Sequence, residues 1–413
     1  MSELKGTCIF GQSGGPTSVI NASAAGVFQE ALATGCITGV YGAVHGIKGI
    51  LNEVLYDIGK ESASELNYLR STPSSALGSV RYKLKHYEDD ESDYIKILDV
   101  FRKHNVRYFF YNGGNDSMDT CNKVNGYLKS VGYECRVMGV PKTIDNDLWG
   151  TDHCPGFGSA AKFVATSMME VYLDARVYGD GMVTVFEVMG RNAGWLTAAA
   201  ALATHKGAGP DLIYIPENSF DLNKFMSDVE GVYSATGQAM IAVSEGIRGS
   251  DGTYFAEIIS QDLSKDSFGH LSLGGIANFL AGYIRPRLNV KVRAIDYNLL
   301  QRCASHCASE TDVEEAYLAG KMAVKYAVEG HSGYMVAFER DSTAPEYKCA
   351  TKLVDLTETA NKEKTIPREW INDNENGVRS QFIDYALPLI AGEPHFPTED
   401  GLPRFTRLNK IRL

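Results

Sequence analysis

The stretch VRYFFYNGGNDSMDTCNKVNGYLK, residues 106–129, decides how this chain folds. Its opening, residues 106–111, is mostly β-branched and aromatic and reads as a buried strand. Gly113-Gly114-Asn115-Asp116-Ser117 breaks the run. A helical stretch then reaches Lys129. The same unit of strand, glycine turn and helix recurs on both sides. Residues 6–10 read as a strand, followed by Gly11-Gln12-Ser13-Gly14-Gly15-Pro16 and a helix over 21–33. Residues 136–140 form a strand ending at Pro141, and 159–175 are helical by their period. Residues 183–189 form a strand before Gly190-Arg191-Asn192-Ala193-Gly194 and a further helix. Strands are expected at 212–215, 239–243 and 333–338. The helix over 310–328 opens on acidic residues, which suit its positive dipole end.

Strands separated by helices of this length predict an α/β chain built from βαβ units with parallel sheets. The recurrence in both halves predicts two similar domains facing each other across a cleft. Such sheets bind ligands beyond the carboxyl ends of their strands, where these glycine turns fall. The last fifty residues, from Asn361, are rich in Pro and charge and read as a tail wrapping a surface.

A length of 413 residues allows two to three domains. The chain is 44% hydrophobic and 22% charged, ordinary values for a globular protein with a large core. The net charge of −11 argues against nucleic acid as a partner and against a polybasic membrane-surface protein. The N-terminus carries no apolar or Arg-rich targeting pattern. The most apolar window, 195–203, is about half the length of a spanning helix. Eight scattered cysteines include no C-x-x-C pair, so the expectation is a reducing cytoplasm. Cys303, His306 and Cys307 lie close together but lack the distant partner pair that a zinc site needs.

Four clusters can carry chemistry. Gly14-Gly15 lets backbone approach a phosphate at a helix start, or is only a tight turn. Gly113 to Ser117 repeats the arrangement, with Asp116 or Ser117 as possible helix caps. Pro141-Lys142-Thr143-Ile144-Asp145-Asn146-Asp147 is the most specific segment. Lys142 supplies a cation for a moving phosphoryl group, and Asp145 a carboxylate that accepts the attacking hydroxyl's proton. Met189-Gly190-Arg191 adds an arginine suited to bidentate phosphate contact. Glu245, at a strand end, and Arg293 and Arg302, flanking Tyr297, complete the candidates.

Together these segments resemble the phosphofructokinase family over roughly residues 5–340. The resemblance implies two Rossmann-like parallel-sheet domains with the active site in the cleft between them. The larger, donor-side domain is expected over 1–157 plus about 301–360. The smaller, sugar-phosphate side is expected over 158–300, and 361–413 as an extension packing on the surface. The implied reaction is phosphoryl transfer to the 1-hydroxyl of fructose 6-phosphate. Asp145 is then the general base, with Thr143 and Asp147 beside the sugar. Met189, Gly190 and Arg191 bind sugar and stabilise the transferring group. Glu245 matches a residue bonding sugar hydroxyls, and Arg302 one gripping the 6-phosphate. Arg293 matches an arginine donated from a neighbouring subunit, which implies a homodimer or homotetramer. Gly14 matches a backbone donor to the phosphoryl donor, with Gly15, Arg81, Gly114 and Ser117 around it.

Two positions bear on the donor. ATP-using members of the family carry Gly where Asp116 and Lys142 stand here. A carboxylate at Asp116 fills the volume of a nucleotide α-phosphate and repels it, while Lys142 holds the outer phosphates of a smaller donor. Both changes point to pyrophosphate, with a reversible reaction and Mg2+ bridging the donor phosphates. Alternatives are an ATP-dependent kinase of the same fold and a non-catalytic regulatory subunit. The chain departs from the family at Asn115, where a metal-linked Asp is usual and Asp116 is the substitute carboxylate. It also departs at Met182, where a second inter-subunit arginine is expected and Arg176 is the nearby replacement. Leu299 stands where a sugar-side His or Tyr is expected, with Tyr297 the candidate nearby. Ser18 and Val19 replace a Pro and a Gly of the first loop.

Overall fold

The computed structural model describes residues 4–177, 179, 181–259, 273–360 and 362–413. The strands used below are, in chain order, β1 (Gly6–Gln12), β2 (Ile37–Ala43), β3 (Leu55–Asp57), β4 (Val106–Gly113), β5 (Arg136–Pro141), β6 (Met182–Val188), β7 (Leu212–Tyr214), β8 (Ala239–Ser244), β9 (Lys291–Asp296), β10 (Tyr334–Arg340) and β11 (Cys349–Asp355). Seven form one sheet in the order β11-β10-β5-β4-β1-β2-β3, and four form a second in the order β7-β8-β6-β9.

The quoted stretch sits at the middle of the larger sheet. Phe110 of β4 lies opposite Phe10 of β1 on one side and Met138 of β5 on the other. All three are fully buried, as expected for a strand covered on both faces. The second sheet is parallel throughout. The larger one is parallel except at its edges. There β3 runs antiparallel to β2, and β11 antiparallel to β10. The link between β10 and β11 is too short for a crossover helix, so the chain turns back on itself.

Helix Ile20–Ala33, which follows the Gly14–Gly15 turn, packs on helix Glu310–Val328. Gly26 and Gly320 face each other's backbones there. A Cβ at Gly26 would lie 2.1 Å from the Tyr317 carbonyl oxygen, and one at Gly320 would lie 2.0 Å from that of Ser23. Ser309 caps the second helix. The Asp312 carboxylate in its first turn accepts from the Gly156 and Ser159 amides at 2.8 Å, fixing the start of helix Phe157–Ala175.

The segment after residue 361 supplies core. Phe382, Tyr385 and Leu389 are buried with Phe157, Phe186 and Trp195. All eight cysteines are free. Among the described residues no helix is long and apolar enough to cross a membrane.

Candidate active site

The carboxyl ends of β1, β4 and β5 in one sheet, and of β6, β8 and β9 in the other, open onto a cavity of about 800 Å³. Of the residues singled out from the sequence, Gly14, Gly15, Arg81, Gly114, Asn115, Asp116, Ser117, Lys142, Thr143, Asp145, Asp147, Met189, Arg191, Glu245 and Arg302 line it. They come from turns far apart in the chain, and parallel-strand topology gathers them.

The wall at the Gly14–Gly15 turn is rich in basic groups. The Lys142 ammonium donates to the Gly15 carbonyl at 2.6 Å. Gly14 has φ of 75°, and a Cβ at Gly15 would lie 2.9 Å from the Arg302 guanidinium and 3.9 Å from that of Arg81. The left-handed φ favours glycine at 14, and a side chain at 15 would have to displace the Arg302 guanidinium where three basic groups converge. Burial lowers Lys142 to about 7; Asp145 opposes that shift, and Arg81 and Arg302 reinforce it. One implied contact is not available: the Gly14 amide already donates to the Val80 carbonyl at 3.1 Å. The turn contributes room for a ligand rather than that N–H.

Asn115 and Asp116 open helix Asn115–Ser130, whose N-cap is Gly114 without a side-chain cap. Capping therefore does not account for Asp116 or Ser117. The Asn115 amide donates to Asp147 Oδ2 at 3.0 Å, while its Oδ1 is buried without a partner. An unpartnered hard oxygen beside a carboxylate is a donor set that suits a divalent cation shared with phosphates. Among the described residues, only His153, Glu315 and Cys349 form a ready group of potential ligands. There, against the cost of burial, Glu315 and Asp152 raise His153 to about 9, each bonded to one ring nitrogen. That imidazolium is a structural ion triad.

The turn carrying Asp145 is built by its neighbours. The Asp145 amide donates to Thr143 Oγ1 at 3.1 Å. Asn146 has φ of 55° and is fully buried. Its side chain bonds the Tyr385 hydroxyl at 2.8 Å and the Cys154 amide at 2.9 Å. Asn tolerates this left-handed conformation, so the residue between the two aspartates is the hinge pin of the turn. Asn146→Ala is expected to destabilise the protein by about 2–5 kcal/mol, read as a lowered urea midpoint, because both buried partners lose their bonds. Burial pushes the Asp145 carboxyl up, against the pull of Arg191 and Lys142. Asp147 is raised by burial and by the neighbouring Asp145 and Glu363.

On the facing wall, the Met189 amide donates to Gln301 Oε1 at 3.0 Å. Gly190 has φ of 150° and donates to Glu245 Oε1 at 3.4 Å; it positions this turn but does not line the cavity. Burial raises Glu245 to about 7, with the Asp145 charge adding to the shift.

One expected contact falls elsewhere. Tyr297 does not line the cavity. Its ring packs between Phe163 and Phe186, and its hydroxyl accepts from Ser167 at 2.9 Å. The phenol therefore points into the core, and Asp296 and Asn298 on either side face the cavity. Arg293, expected to serve a neighbouring subunit, does not line the cavity of its own chain; it pairs with Asp174 at 3.0 Å on the flank where Leu173 and Val177 are exposed. Glu187, Gln301 and Glu363 line the cavity but were not read from the sequence. Glu187 is hidden inside an apolar strand, Gln301 carries no motif, and Glu363 lies in the segment read as a surface tail.

A cleft with converging cations and a buried carboxylate at strand ends defines a phosphoryl-transfer site on an α/β scaffold. The chain belongs to the phosphofructokinase family, whose model matches residues 7–296. Over 98% of its length it is 44% identical to a pyrophosphate–fructose 6-phosphate 1-phosphotransferase of Halomonas elongata, covering 96% of that protein. It is likewise 44% identical over 98% of its length to the protein of that name from Xanthomonas campestris, covering 97% of it. The crystal structure of a pyrophosphate-dependent phosphofructokinase from Nitrosospira multiformis superposes with a TM-score of 0.88 at 39% identity, covering 98% of this chain and 97% of that one.

Proposed function

We infer that this chain transfers a phosphoryl group from pyrophosphate to the 1-hydroxyl of fructose 6-phosphate, reversibly, giving fructose 1,6-bisphosphate and phosphate. The observation that carries the donor is the pair Lys142 and Asp116 facing one cavity at the Gly14–Gly15 turn. In this reading Asp145 takes the hydroxyl proton as the oxygen attacks. Lys142 and Arg191 meet the charge on the transferring group, and Arg81 holds the outer phosphate. Arg302 and Glu245 orient the sugar, with Thr143, Asp147 and Met189 around it.

Magnesium is proposed at Asn115 Oδ1 and Asp116, where the unpartnered oxygen supports a shared site. When bound it would supply Lewis-acid neutralisation of the donor phosphates. We further propose that Arg293 serves the site of a second copy in a homodimer or homotetramer, a reading supported by its exclusion from its own cavity. The two sheets, with a limit near 157 and a return near 301, are proposed as the two domains. Eight free cysteines support a reducing, cytoplasmic setting.

Initial rates with each donor test the function. Turnover with pyrophosphate and none with ATP is expected, and the reverse would overturn the reading. Asp116→Gly is expected to shift the ratio of ATP to pyrophosphate use at least about tenfold toward ATP by removing a charge from the nucleotide's path. Unchanged donor preference in that variant would show that Asp116 is not the selector.

A further inference from the structure

We infer that residues 363–366, which lie beyond the family match, form a strap that sets the spacing of the two catalytic walls, with Glu363 and Asn192 as its clasp. The inference rests on the phosphotransferase reading above. On one side, the Lys364 amide donates to the Asp147 carbonyl at 2.7 Å, and Glu363 makes an antiparallel bridge with Leu148. On the other side, Glu363 Oε1 accepts from the Asn192 side-chain amide at 2.7 Å. The Trp195 indole donates to the Lys364 carbonyl at 2.8 Å. The Ile366 amide donates at 3.1 Å to Glu217, whose carboxylate also takes the Gly194 amide at 2.9 Å.

One short segment is thus tied to both strand-end turns. Asp147 follows the base Asp145 by two residues, and Asn192 follows Arg191 directly. Asn192 is braced from behind, its Oδ1 accepting from the Tyr254 hydroxyl at 2.7 Å and from Arg248. The strap therefore holds the proton acceptor of one wall at a fixed distance from the guanidinium of the other. Misplacement of reacting groups by about 1 Å costs about 100-fold in rate. The bonds of the strap run to Asp147, Asn192, Trp195 and Glu217, whereas Lys142 bonds the Gly15 carbonyl, so the larger effect is expected on kcat. Glu363 and Asn192 are positioning residues.

The test uses the full chain with pyrophosphate and fructose 6-phosphate. Asn192→Ala and Glu363→Ala are each expected to lower kcat about 10- to 100-fold, with KM for pyrophosphate within about twofold. The double variant is expected to be no slower than the slower single, because both changes break one contact. Glu363→Gln keeps the acceptor and is expected to retain at least half of the activity. Asn192→Asp sets two carboxylates together and lowers kcat; adding Glu363→Gln reverses the bond's direction and restores it. This pair keeps the test open if a truncation does not fold. Multiplicative losses in the double variant, a Gln variant as slow as Ala, or single variants at wild-type rate would overturn the strap. A wild-type chain inactive with pyrophosphate would overturn the phosphotransferase reading, and the strap with it.

Discussion

Asp145→Asn is expected to lower kcat about 10³- to 10⁴-fold while the protein becomes no less stable than the wild type. The loss follows from removing the only proton acceptor assigned to the sugar hydroxyl; Asn is nearly isosteric and keeps the amide bond to Thr143. The stability expectation follows from sign. Burial raises the Asp145 pKa in the folded state. An acid whose pKa is raised on folding opposes folding once pH exceeds its unfolded value near 3.9. The neutral amide carries no such penalty. Turnover and urea unfolding at pH 7 check both halves. A variant with residual activity above a tenth of wild type would remove Asp145 from the role of base.

Lys142→Met is expected to cut kcat/KM for pyrophosphate about 10²- to 10³-fold, through loss of a charge-assisted contact to the transferring group in a site shielded from water. The wild-type enzyme should also show a pH signature. With a pKa lowered to about 7, Lys142 is largely neutral in the free enzyme at pH 8. Arrival of an anionic donor restores its charge, so binding takes up a proton above pH 7. KM for pyrophosphate should rise as pH increases from 7 to 9, and the Met variant should lose that slope. Calorimetry in two buffers of different ionisation enthalpy measures the proton directly. Equal slopes in both proteins would exclude Lys142 as its acceptor.

Much of this site is legible in the sequence because parallel sheets place function just after strands. The Gly-Gly turns, residues 141–147 and Met189-Gly190-Arg191 each follow a strand of apolar residues, and each lies at the cavity or shapes it. What was not legible depends on long-range packing. By position Tyr297 reads as a sugar contact, but β9 delivers its ring to a core between Phe163 and Phe186. Glu363 and Lys364 sit in a charged, irregular stretch with no period, and only the fold reveals that they run across the cleft. The antiparallel edges were missed for a related reason: β3 is three residues long, and β11 lacks the uninterrupted apolar run of a central strand.

The back-to-back glycines at 26 and 320 reach further than helix packing. With backbones touching, helix Ile20–Ala33 cannot pack closer to helix Glu310–Val328, and a larger residue at either glycine would push away the helix that the Gly14–Gly15 turn feeds. The turn behaves as an anvil: the Gly14 amide donates to the Val80 carbonyl, and the Gly14 carbonyl accepts from the Ser79 hydroxyl. On the proposed reading, adaptation to a bulkier phosphoryl donor is left to two side chains lining the same cavity, Asp116 and Lys142. On that reading, donor choice can drift by exchange of two side chains without redrawing the Gly14–Gly15 loop.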